Sequence, residues 1–573
     1  MPALTEYTYI FVIALFACAL DAYNIGANDV ANSFATSVSS KSLTLRQACL
    51  AAAVMEAAGA ITVGARVADT IKNGIINPAM FQGNPGVQML TFTCALVVSA
   101  SWLMVATRMS WPVSTTYSIV SAVAGAGVAV GGVDQVNWGW NGGKGLATIF
   151  AGFGIAPALA GGFGAVCYLL VKFGVLRRKN PLPYALATGP IVFFIVSAVM
   201  TMSIIYKGSP SLGLDDMPGN ELVAAILGTA AVVAALAALF WVPFVYCKVV
   251  RKDYTLRFYH FFLGPLLWKR QAPADAGEVD YVADYRIRKD EDETPVKADE
   301  ESGSMEKRNS DDITPATLES PLNKEVEKVD EHPIVGSWIE PKNLYIIARY
   351  KTVPFVKKVL FHGSSVDVHA MQEGAKGSAQ AARQHALYAR AKQYPNEVEA
   401  TYSFVQVLTA CVASFAHGAN DVSNAIGPFA AIYHVWSTGE LAGKKSAVPI
   451  WILIFGAAMI VIGLATYGYN IMAVLGNKVT LMSPSRGFCM ELGAAITVCL
   501  NSILASQYGL PVSTTMCIVG ATIGVGLCNG DLKAVNWRAI GHVFLGWVLT
   551  VPIVGTLSGV LTGLILNAPH FTS

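Results

Sequence analysis

Four short polar motifs stand out in this chain because their residue types can bind ions. Residues 26–32 have the sequence GANDVAN and residues 418–424 have GANDVSN, while PVSTT occurs at 112–116 and at 511–515. In each Asn-Asp motif, helical spacing puts two asparagines on one face, next to an aspartate. Their oxygens are ligands that hard cations such as Na⁺ prefer. These motifs therefore predict cation binding, although such groups also form hydrogen bonds between membrane helices.

The PVSTT motifs predict a different chemistry, the binding of an anion. Proline is common in the first turn of a helix, where Ser and Thr offer hydroxyl donors beside free backbone N–H groups. Because the positive end of the helix dipole lies at the same place, the arrangement can hold an anion. Two such helix starts could surround a tetrahedral oxyanion with neutral donors. A single motif would be better explained as a capped helix start, but its duplication favours a functional role.

The motifs recur in the same order, which indicates an internal repeat. The offset is 420 − 28 = 392 at the Asn-Asp motifs and 513 − 114 = 399 at the PVSTT motifs. The second alignment continues without gaps to VNW at 136–138 and 535–537. An odd number of predicted membrane segments precedes the second copy, so the two repeats would have inverted orientations. Inverted repeats are typical of secondary transporters whose binding site lies near the bilayer midplane.

Gly26 and Gly418 begin the two Asn-Asp motifs. Glycine adopts backbone conformations that other residues avoid. We therefore expect local unwinding at both glycines, which would expose backbone carbonyl oxygens as further cation ligands, as in the broken helices of other transporters.

Three further candidates lie outside the repeated motifs. Glu56 and Glu491 occur in apolar surroundings, and an intramembrane carboxylate is either an ion ligand, a titrating gate or a hydrogen-bonded packing group. At the offset of 399, Glu56 pairs with Phe455 and Glu491 with Phe92, so the glutamates are not repeat equivalents. His417 precedes the second Asn-Asp motif and is more typical of helix packing than of proton transfer.

The elements that position these residues are predicted to be membrane-spanning helices. Of 573 residues, 54% are hydrophobic and 14% are charged, whereas soluble proteins carry about 25% charged residues. The apolar runs predict about 12 membrane segments, with about seven before residue 250 and about five after the insert. The first group lies near residues 7–27, 47–70, 86–107, 112–131, 146–171, 187–206 and 219–247. We predict an all-α polytopic membrane protein with broken or re-entrant helices at the PVSTT motifs.

Charge divides the chain into three parts. Residues 1–250 form a first membrane block with repeat 1, and residues 399–573 form a second block with repeat 2. Between them, residues 251–398 hold most of the charges and are predicted to form a cytoplasmic insert, in which 273–333 is too poor in apolar residues to fold. Basic residues near the segment ends put both termini outside the cell. The net charge of +2 gives no support for nucleic-acid binding.

The paired GANDVAN and GANDVSN motifs, the two PVSTT motifs and the large insert together resemble the inorganic phosphate transporter (PiT) family of sodium–phosphate symporters. The resemblance covers both membrane blocks but not the insert, and it is greatest to the fungal high-affinity plasma-membrane members. It implies import of inorganic phosphate coupled to Na⁺ by alternating access, in a homodimer. It implies no enzymatic activity and no cofactor beyond the co-transported Na⁺.

The resemblance also assigns site residues through the motifs. The residues assigned to phosphate are Asn28, Asp29, Ser114, Thr115, Thr116, Asn420, Asp421, Ser513, Thr514 and Thr515. Those assigned to Na⁺ are Asp21, Asn28, Asp29, Asn32, Ser114, Asn420, Asp421, Asn424 and Ser513. Glu56 and Glu491 lie where the family has important carboxylates, which makes them candidates for gating or coupling.

Other functions fit part of the pattern. The same carboxylates could titrate, which would couple phosphate to H⁺ instead of Na⁺. A phosphate sensor with weak transport could signal through the long insert. An intramembrane aspartyl protease could use Asp29 and Asp421 as its pair, but no GxGD motif accompanies either residue, and the amides and hydroxyls have no role in peptide hydrolysis. A channel is disfavoured because inverted repeats with broken helices favour alternating access.

Overall fold

The computed structural model describes most of the chain. The described residues are 3–140, 145–207, 218–253, 255–271, 337–360, 363, 366, 368–373, 379–443, 448–476, 478–504 and 512–568. The segment 273–333, for which the sequence predicts disorder, lies outside them. The chain divides into two compact units: Met1–Arg286 together with Leu360–Ser573, and Ile287–Val359. The larger unit contains all four polar motifs.

The α-helices are numbered here in chain order. The first group is α1 (Thr8–Ile25), α2 (Ala31–Ser39), α3 (Leu45–Gly59), α4 (Ala65–Gly74), α5 (Pro85–Arg108), α6 (Thr115–Gly131), α7 (Leu146–Val171), α8 (Pro181–Lys207), α9 (Gly219–Leu236) and α10 (Val242–Val245). The second is α11 (Pro341–Ile346), α12 (Val353–Leu360), α13 (Val368–Glu373), α14 (Ala379–Tyr388), α15 (Asn396–Asn420), α16 (Val422–Thr438), α17 (Ile450–Tyr467), α18 (Tyr469–Leu475), α19 (Pro484–Leu504), α20 (Thr514–Leu527) and α21 (Trp537–Leu566). A wide π-helical turn, Gly26–Val30, joins α1 to α2.

Nine helical segments of the described residues are long and apolar enough to cross a bilayer. They are Thr5–Ser39, Leu45–Gly64, Pro85–Arg108, Leu146–Leu176, Pro181–Ile205, Gly219–Val250, Asn396–Thr438, Ile450–Tyr467 and Trp537–Leu566. The prediction of an all-α polytopic membrane protein is confirmed. The sequence predicts about 12 segments. Two further apolar helices, α6 and α20, are shorter than the 18 residues of the shortest of these nine segments.

Two of the apolar helices begin inside the PVSTT motifs. Ser114 is the N-cap of α6, where its hydroxyl oxygen accepts a 3.3 Å hydrogen bond from the backbone N–H of Tyr117. Ser513 caps α20 in the same way, through a 3.4 Å bond from the N–H of Met516. A capping serine fixes where a helix begins. The following threonines therefore lie in the first turn of each helix, with their hydroxyls near its positive end.

The two repeats interlock by exchanging equivalent contacts. In the motif alignment, α1, α3, α5, α6 and α7 correspond to α15, α17, α19, α20 and α21. Helix α1 packs against α17, and its counterpart α15 packs against α3. Likewise, α7 packs against α20, and α21 packs against α6. Each repeat thus completes the packing of the other, so neither forms a separate bundle.

The backbone stays helical at both glycines, although Gly26 begins the wide π-helical turn, so the expected release of backbone carbonyls by unwinding is not seen there. Gly26 has helical dihedral angles, φ −61° and ψ −44°, and Gly418 lies within the continuous helix α15. A Cβ atom on Gly26 would lie 1.8 Å from the carbonyl oxygen of Ile460, and one on Gly418 would lie 2.4 Å from the carbonyl oxygen of Glu56. Both glycines therefore serve the close approach of a helix from the other repeat.

Candidate functional site

Asp29 is buried in the wide turn between α1 and α2 and contacts both repeats. Its Oδ2 accepts a 2.5 Å hydrogen bond from the hydroxyl of Thr115, whose backbone N–H is 3.4 Å away. Its Oδ1 accepts a 2.7 Å bond from the hydroxyl of Thr515. Thr115 begins α6 in the same repeat, whereas Thr515 lies in the first turn of α20 in the other repeat. One carboxylate thus joins the two PVSTT helix starts.

Asp421 makes the same contacts from the second repeat. Its Oδ2 accepts a 2.6 Å hydrogen bond from Thr514, the counterpart of Thr115. Its Oδ1 accepts a 3.0 Å bond from Thr116, the counterpart of Thr515. Each aspartate therefore binds the first threonine of its own repeat and the second threonine of the other. The Asn-Asp and PVSTT motifs, far apart in sequence, meet in one buried cluster with internal two-fold symmetry, which we call the Asp29–Asp421 cluster.

Asn28 and Asn420 hold the PVSTT segments in place. The amide of Asn28 donates to the hydroxyl of Thr107 at 3.1 Å and to the carbonyl of Trp111 at 2.9 Å, and its oxygen accepts from the N–H of Val113 at 3.1 Å. The amide of Asn420 donates to the carbonyl of Val512 at 2.8 Å. In this structure the polar atoms of Asn28 are satisfied by protein partners. Its first role is therefore to position the helix start.

Asn32 and Asn424 are half satisfied, in a symmetric way. The Asn32 amide donates to Thr515 at 3.0 Å, and the Asn424 amide donates to Thr116 at 3.0 Å. The Oδ1 atoms of both asparagines are buried and have no hydrogen-bond partner among the described residues. A buried carbonyl oxygen without a partner is costly. Two such oxygens beside carboxylates have the chemistry that a Na⁺ ion requires.

Glu56 and His417 extend the Asp29–Asp421 cluster next to Asp421. The Oε1 of Glu56 accepts a 2.7 Å hydrogen bond from Ser414, and its Oε2 lies 2.7 Å from Nδ1 of His417. The Nε2 of His417 lies 3.5 Å from Oδ2 of Asp421. Ligand atoms of Asp29, His417 and Asp421 all lie within 4.8 Å of one another. His417 therefore links Glu56 to the cluster, a role that sequence reasoning did not favour.

Glu491 lies apart from this cluster in a polar pocket of its own. Its Oε1 accepts hydrogen bonds from Thr36 at 2.6 Å, Ser37 at 2.5 Å and Gln406 at 3.1 Å. Its Oε2 accepts one from Thr409 at 2.6 Å. These donors come from α2 in repeat 1 and α15 in repeat 2, so the carboxylate of Glu491 bridges the two repeats. Four donors suit an ionised carboxylate.

Asp21 is the candidate carboxylate with the fewest polar neighbours, the hydroxyl of Ser99 being the nearest donor. Both of its carboxylate oxygens are buried, and no described cation forms an ion pair with them. It lies on α1, two helical turns before Asp29, and forms no hydrogen bond to the Asp29–Asp421 cluster. An unpaired carboxylate inside a membrane domain must be neutral or must bind a cation.

A narrow cavity leaves the cluster towards the ends of α18 and α21. Asn32 and Thr36 line it at one end, and it is about 10 Å³ in volume, enough for one water molecule. The other lining residues are mainly aliphatic and include Leu475, Val479 and Val543. Because these side chains are nearly fully buried, they close the cluster on this side.

The residues that bind Glu491 were not predictable from a sequence motif. Thr36, Ser37, Gln406 and Thr409 bind Glu491, yet they do not form a repeated motif. The sequence signal that exists is indirect: polar side chains on otherwise apolar helices must find partners. Which partners they find depends on the interlocking of the repeats, which the spacing along the chain does not give.

The amino-acid sequence of the chain is similar to those of known proteins. The model of the Phosphate transporter family matches residues 25–558. The phosphate-repressible phosphate permease pho-4 of Neurospora crassa is 41% identical over 99% of this chain and 99% of its own length. Sodium-dependent phosphate transporter 1 of Mus musculus is 28% identical over 94% of this chain and 92% of its own length.

A solved structure is similar to the whole chain. It is titled "The sodium-dependent phosphate transporter", and it matches with a TM-score of 0.63 and 25% sequence identity. The match covers 98% of this chain and 100% of that chain. The match therefore extends over both repeats.

Proposed function

Because this chain belongs to the phosphate transporter family, we propose that it is a symporter that imports inorganic phosphate together with Na⁺ by alternating access. The observation that carries the proposal is the symmetric cluster, in which Asp29 and Asp421 each accept hydroxyl hydrogen bonds from both PVSTT helix starts. Phosphate would take over these hydroxyl donors, together with the positive helix ends. The aspartates, freed from the hydroxyls, would bind Na⁺.

Cation binding is needed because the cluster is already negative. Two buried carboxylates near one another repel, and a phosphate anion placed between them would add to the repulsion. Na⁺ ions at Asn32 Oδ1 and Asn424 Oδ1 would use the two unpartnered oxygens and balance this charge. Co-transported cations also offset the membrane potential, which at about −100 mV opposes each net negative charge entering the cell by about 2.3 kcal/mol.

Alternating access is supported by the way the repeats exchange contacts. If the repeats are inverted, the same cluster can be closed from either side by equivalent helices. The proposal includes extracellular termini and a cytoplasmic insert, which follow from the distribution of basic residues. It includes a plasma-membrane location, which follows from the family resemblance. It also includes a homodimer, which follows from family resemblance.

Coupling to H⁺ is a second candidate, and one contact favours it. Glu56, His417 and Asp421 form a continuous chain of titratable groups that reaches the cluster. Histidine changes its charge near neutral pH more readily than other side chains. In this alternative, a proton on His417 would take the place of one Na⁺.

The deciding experiment is the uptake of radiolabelled phosphate into proteoliposomes that contain the purified protein. Inward gradients of Na⁺, choline and H⁺ are compared at equal membrane potential. Uptake that requires the Na⁺ gradient supports the proposed symport. Uptake that requires only the H⁺ gradient would replace Na⁺ by H⁺ as the coupling ion. No uptake by monodisperse, folded protein would contradict transport and favour a phosphate sensor.

A further inference from the structure

A second cleft lies away from the Asp29–Asp421 cluster, between α14 and the beginning of α21. Its volume is about 890 Å³, which is within the range of ligand-binding sites. The basic residues that line it are Arg383, Arg390, Lys478, Lys533, Arg538 and His542. Its described lining contains no Asp or Glu. The cleft is therefore a concave, strongly positive surface at one end of the helical bundle.

The walls of the cleft are held together by specific hydrogen bonds. Asn536, the N-cap of α21, donates from its side chain to the carbonyl of Lys478 at 3.0 Å and from its backbone to the carbonyl of Val479 at 2.9 Å. Arg390 forms a 3.2 Å ion pair with Asp531, just before α21. Backbone and arginine hydrogen bonds lower the pKa of Asp531 and keep it charged. The basic groups are thus brought together by the fold.

Asp531 is the carboxylate near these cations, and it interacts with Arg390 and Lys533. Arg383, Lys478, Lys533 and Arg538 form no ion pair with any residue that the structure describes. Burial lowers the pKa of Lys478, since its ammonium group is partly removed from water without a partner. Like charges in one cleft repel, so they favour an anion between them. To balance several cations, a ligand must carry several negative groups. A single inorganic phosphate ion does not carry that many.

One lining residue, Gln384, has a hydrogen-bond acceptor without a described partner. Gln384 is only 8% exposed, and its amide donates to the hydroxyl of Tyr388. Its Oε1 is buried and has no partner among the described residues. Gln384 lines the cleft, and a rotation of its side chain would bring this acceptor to the cleft surface, beside the positive donors. A hydroxyl group on a bound ligand would satisfy it.

The other repeat shows that the fold does not require these charges. Asn137, the counterpart of Asn536, donates to the carbonyl of Gly74 at 2.9 Å, so the same turn is built there. At the offset of 399, however, Lys533 corresponds to Asp134 and Arg538 to Gly139. Lys533 and Arg538 therefore have no basic counterpart in the repeat-1 turn. The geometry of the turn therefore does not require these two cations.

We propose that this cleft binds a ligand that carries several phosphomonoester groups on a hydroxylated scaffold. The phosphates would pair with the free cations, and a ligand hydroxyl would donate to Gln384. The ligand is either a membrane lipid headgroup or a soluble polyol phosphate. Trp537, 49% exposed at the first position of a membrane-spanning helix, lies where tryptophan meets lipid headgroups. The binding does not depend on which ion drives transport.

The test is equilibrium binding to the purified full-length protein in the presence of saturating inorganic phosphate, which fills the transport site. The probes are inositol trisphosphate in solution and phosphatidylcholine vesicles with or without phosphatidylinositol bisphosphate. The test variant combines Lys478→Gln, Lys533→Gln and Arg538→Gln. The matched control removes three other exposed charges through Arg46→Gln, Lys179→Gln and Lys269→Gln. Both variants are checked for monodispersity and for phosphate uptake.

We expect at least one probe to bind, with affinity about tenfold lower in the test variant and close to wild type in the control. Binding of inositol trisphosphate supports a soluble ligand, and binding of the inositide vesicles alone supports a lipid headgroup. Equal loss in both triple variants would reduce the effect to net charge and overturn the proposal. Complete displacement by inorganic phosphate, or no binding of either probe, would also overturn it.

A further variant tests the hydroxyl contact. Gln384→Leu removes the unpartnered acceptor but no charge, so it should weaken inositol trisphosphate binding by about threefold to tenfold. Tripolyphosphate, which carries no carbon-bound hydroxyl, should bind this variant as it binds the wild type. Equal weakening of both compounds would contradict the hydroxylated scaffold.

Discussion

The two repeats place the same residues at the centre of the molecule and different residues away from it. At the centre, Asp29 and Asp421 accept equivalent hydrogen bonds. Away from it, His417 corresponds to Ile25 at the offset of 392, and Arg538 to Gly139 at the offset of 399. The shared centre is thus suited to cargo that must be reached from both sides. The unshared groups are suited to tasks that belong to one side.

The comparison is tested most strongly by removing one carboxylate at a time. Asp29→Asn and Asp421→Asn should each lower phosphate uptake by at least about 100-fold, since each carboxylate accepts charge-assisted bonds worth about 1.5–3 kcal/mol apiece. Initial uptake rates in proteoliposomes measure the effect. Asp134→Asn, at an exposed position, is the control. Wild-type uptake by either cluster variant would show that the repeats are not equivalent.

The close helix contacts can be compared through their glycines. Gly26→Ala and Gly418→Ala should each destabilise the fold by about 1–3 kcal/mol, because the new methyl group meets a carbonyl oxygen of the other repeat. Gly26→Ala should cost more, since its contact is closer. Thermal unfolding in detergent measures the loss. Gly154→Ala, where a Cβ meets open space, should leave the melting temperature almost unchanged.

The exchanged hydroxyls give a smaller effect. Thr116→Val and Thr515→Val each remove two hydrogen bonds that cross between the repeats, one to an aspartate and one from an asparagine. Each should lower the affinity for phosphate by about tenfold. The apparent KM of Na⁺-driven uptake reports the change. Thr116→Ser and Thr515→Ser keep the hydroxyl and should retain near-wild-type affinity. If only one of the two valine variants is impaired, the two-fold symmetry does not extend to phosphate.

The smallest effect is expected where the repeats differ. His417→Gln removes the link between Glu56 and Asp421, so it should change the pH dependence of uptake and lower the rate by a few fold. Ile25→Val, at the matching position of repeat 1, is the control. An unchanged pH profile would assign His417 to packing, as its sequence context first indicated.

Three features of the sequence predict the fold and the residues of the site. Apolar length alone indicates the membrane helices. The duplicated aspartates stand out because charged groups are rare inside membranes. The N-caps Ser114 and Ser513 are predictable because capping depends only on residues that are close together in the sequence.

What the sequence does not predict depends on how the repeats meet. The pairing of Thr515 with Asp29, nearly five hundred residues away, follows from the interlocking of α1 with helices of the other repeat. The same holds for Gly26, whose role is set by the carbonyl of Ile460 and not by backbone strain. The cleft around Lys478 and Arg538 is also invisible in the motifs, because its residues come from separate segments.

The most direct test of a single site shared by both repeats is an experimental structure with phosphate and Na⁺ bound. The account predicts phosphate between the threonines of the two PVSTT helix starts, with Na⁺ coordinated by Asn32 Oδ1 and Asn424 Oδ1 beside Asp29 and Asp421. Phosphate bound by one repeat alone, or cations bound away from both asparagines, would contradict it.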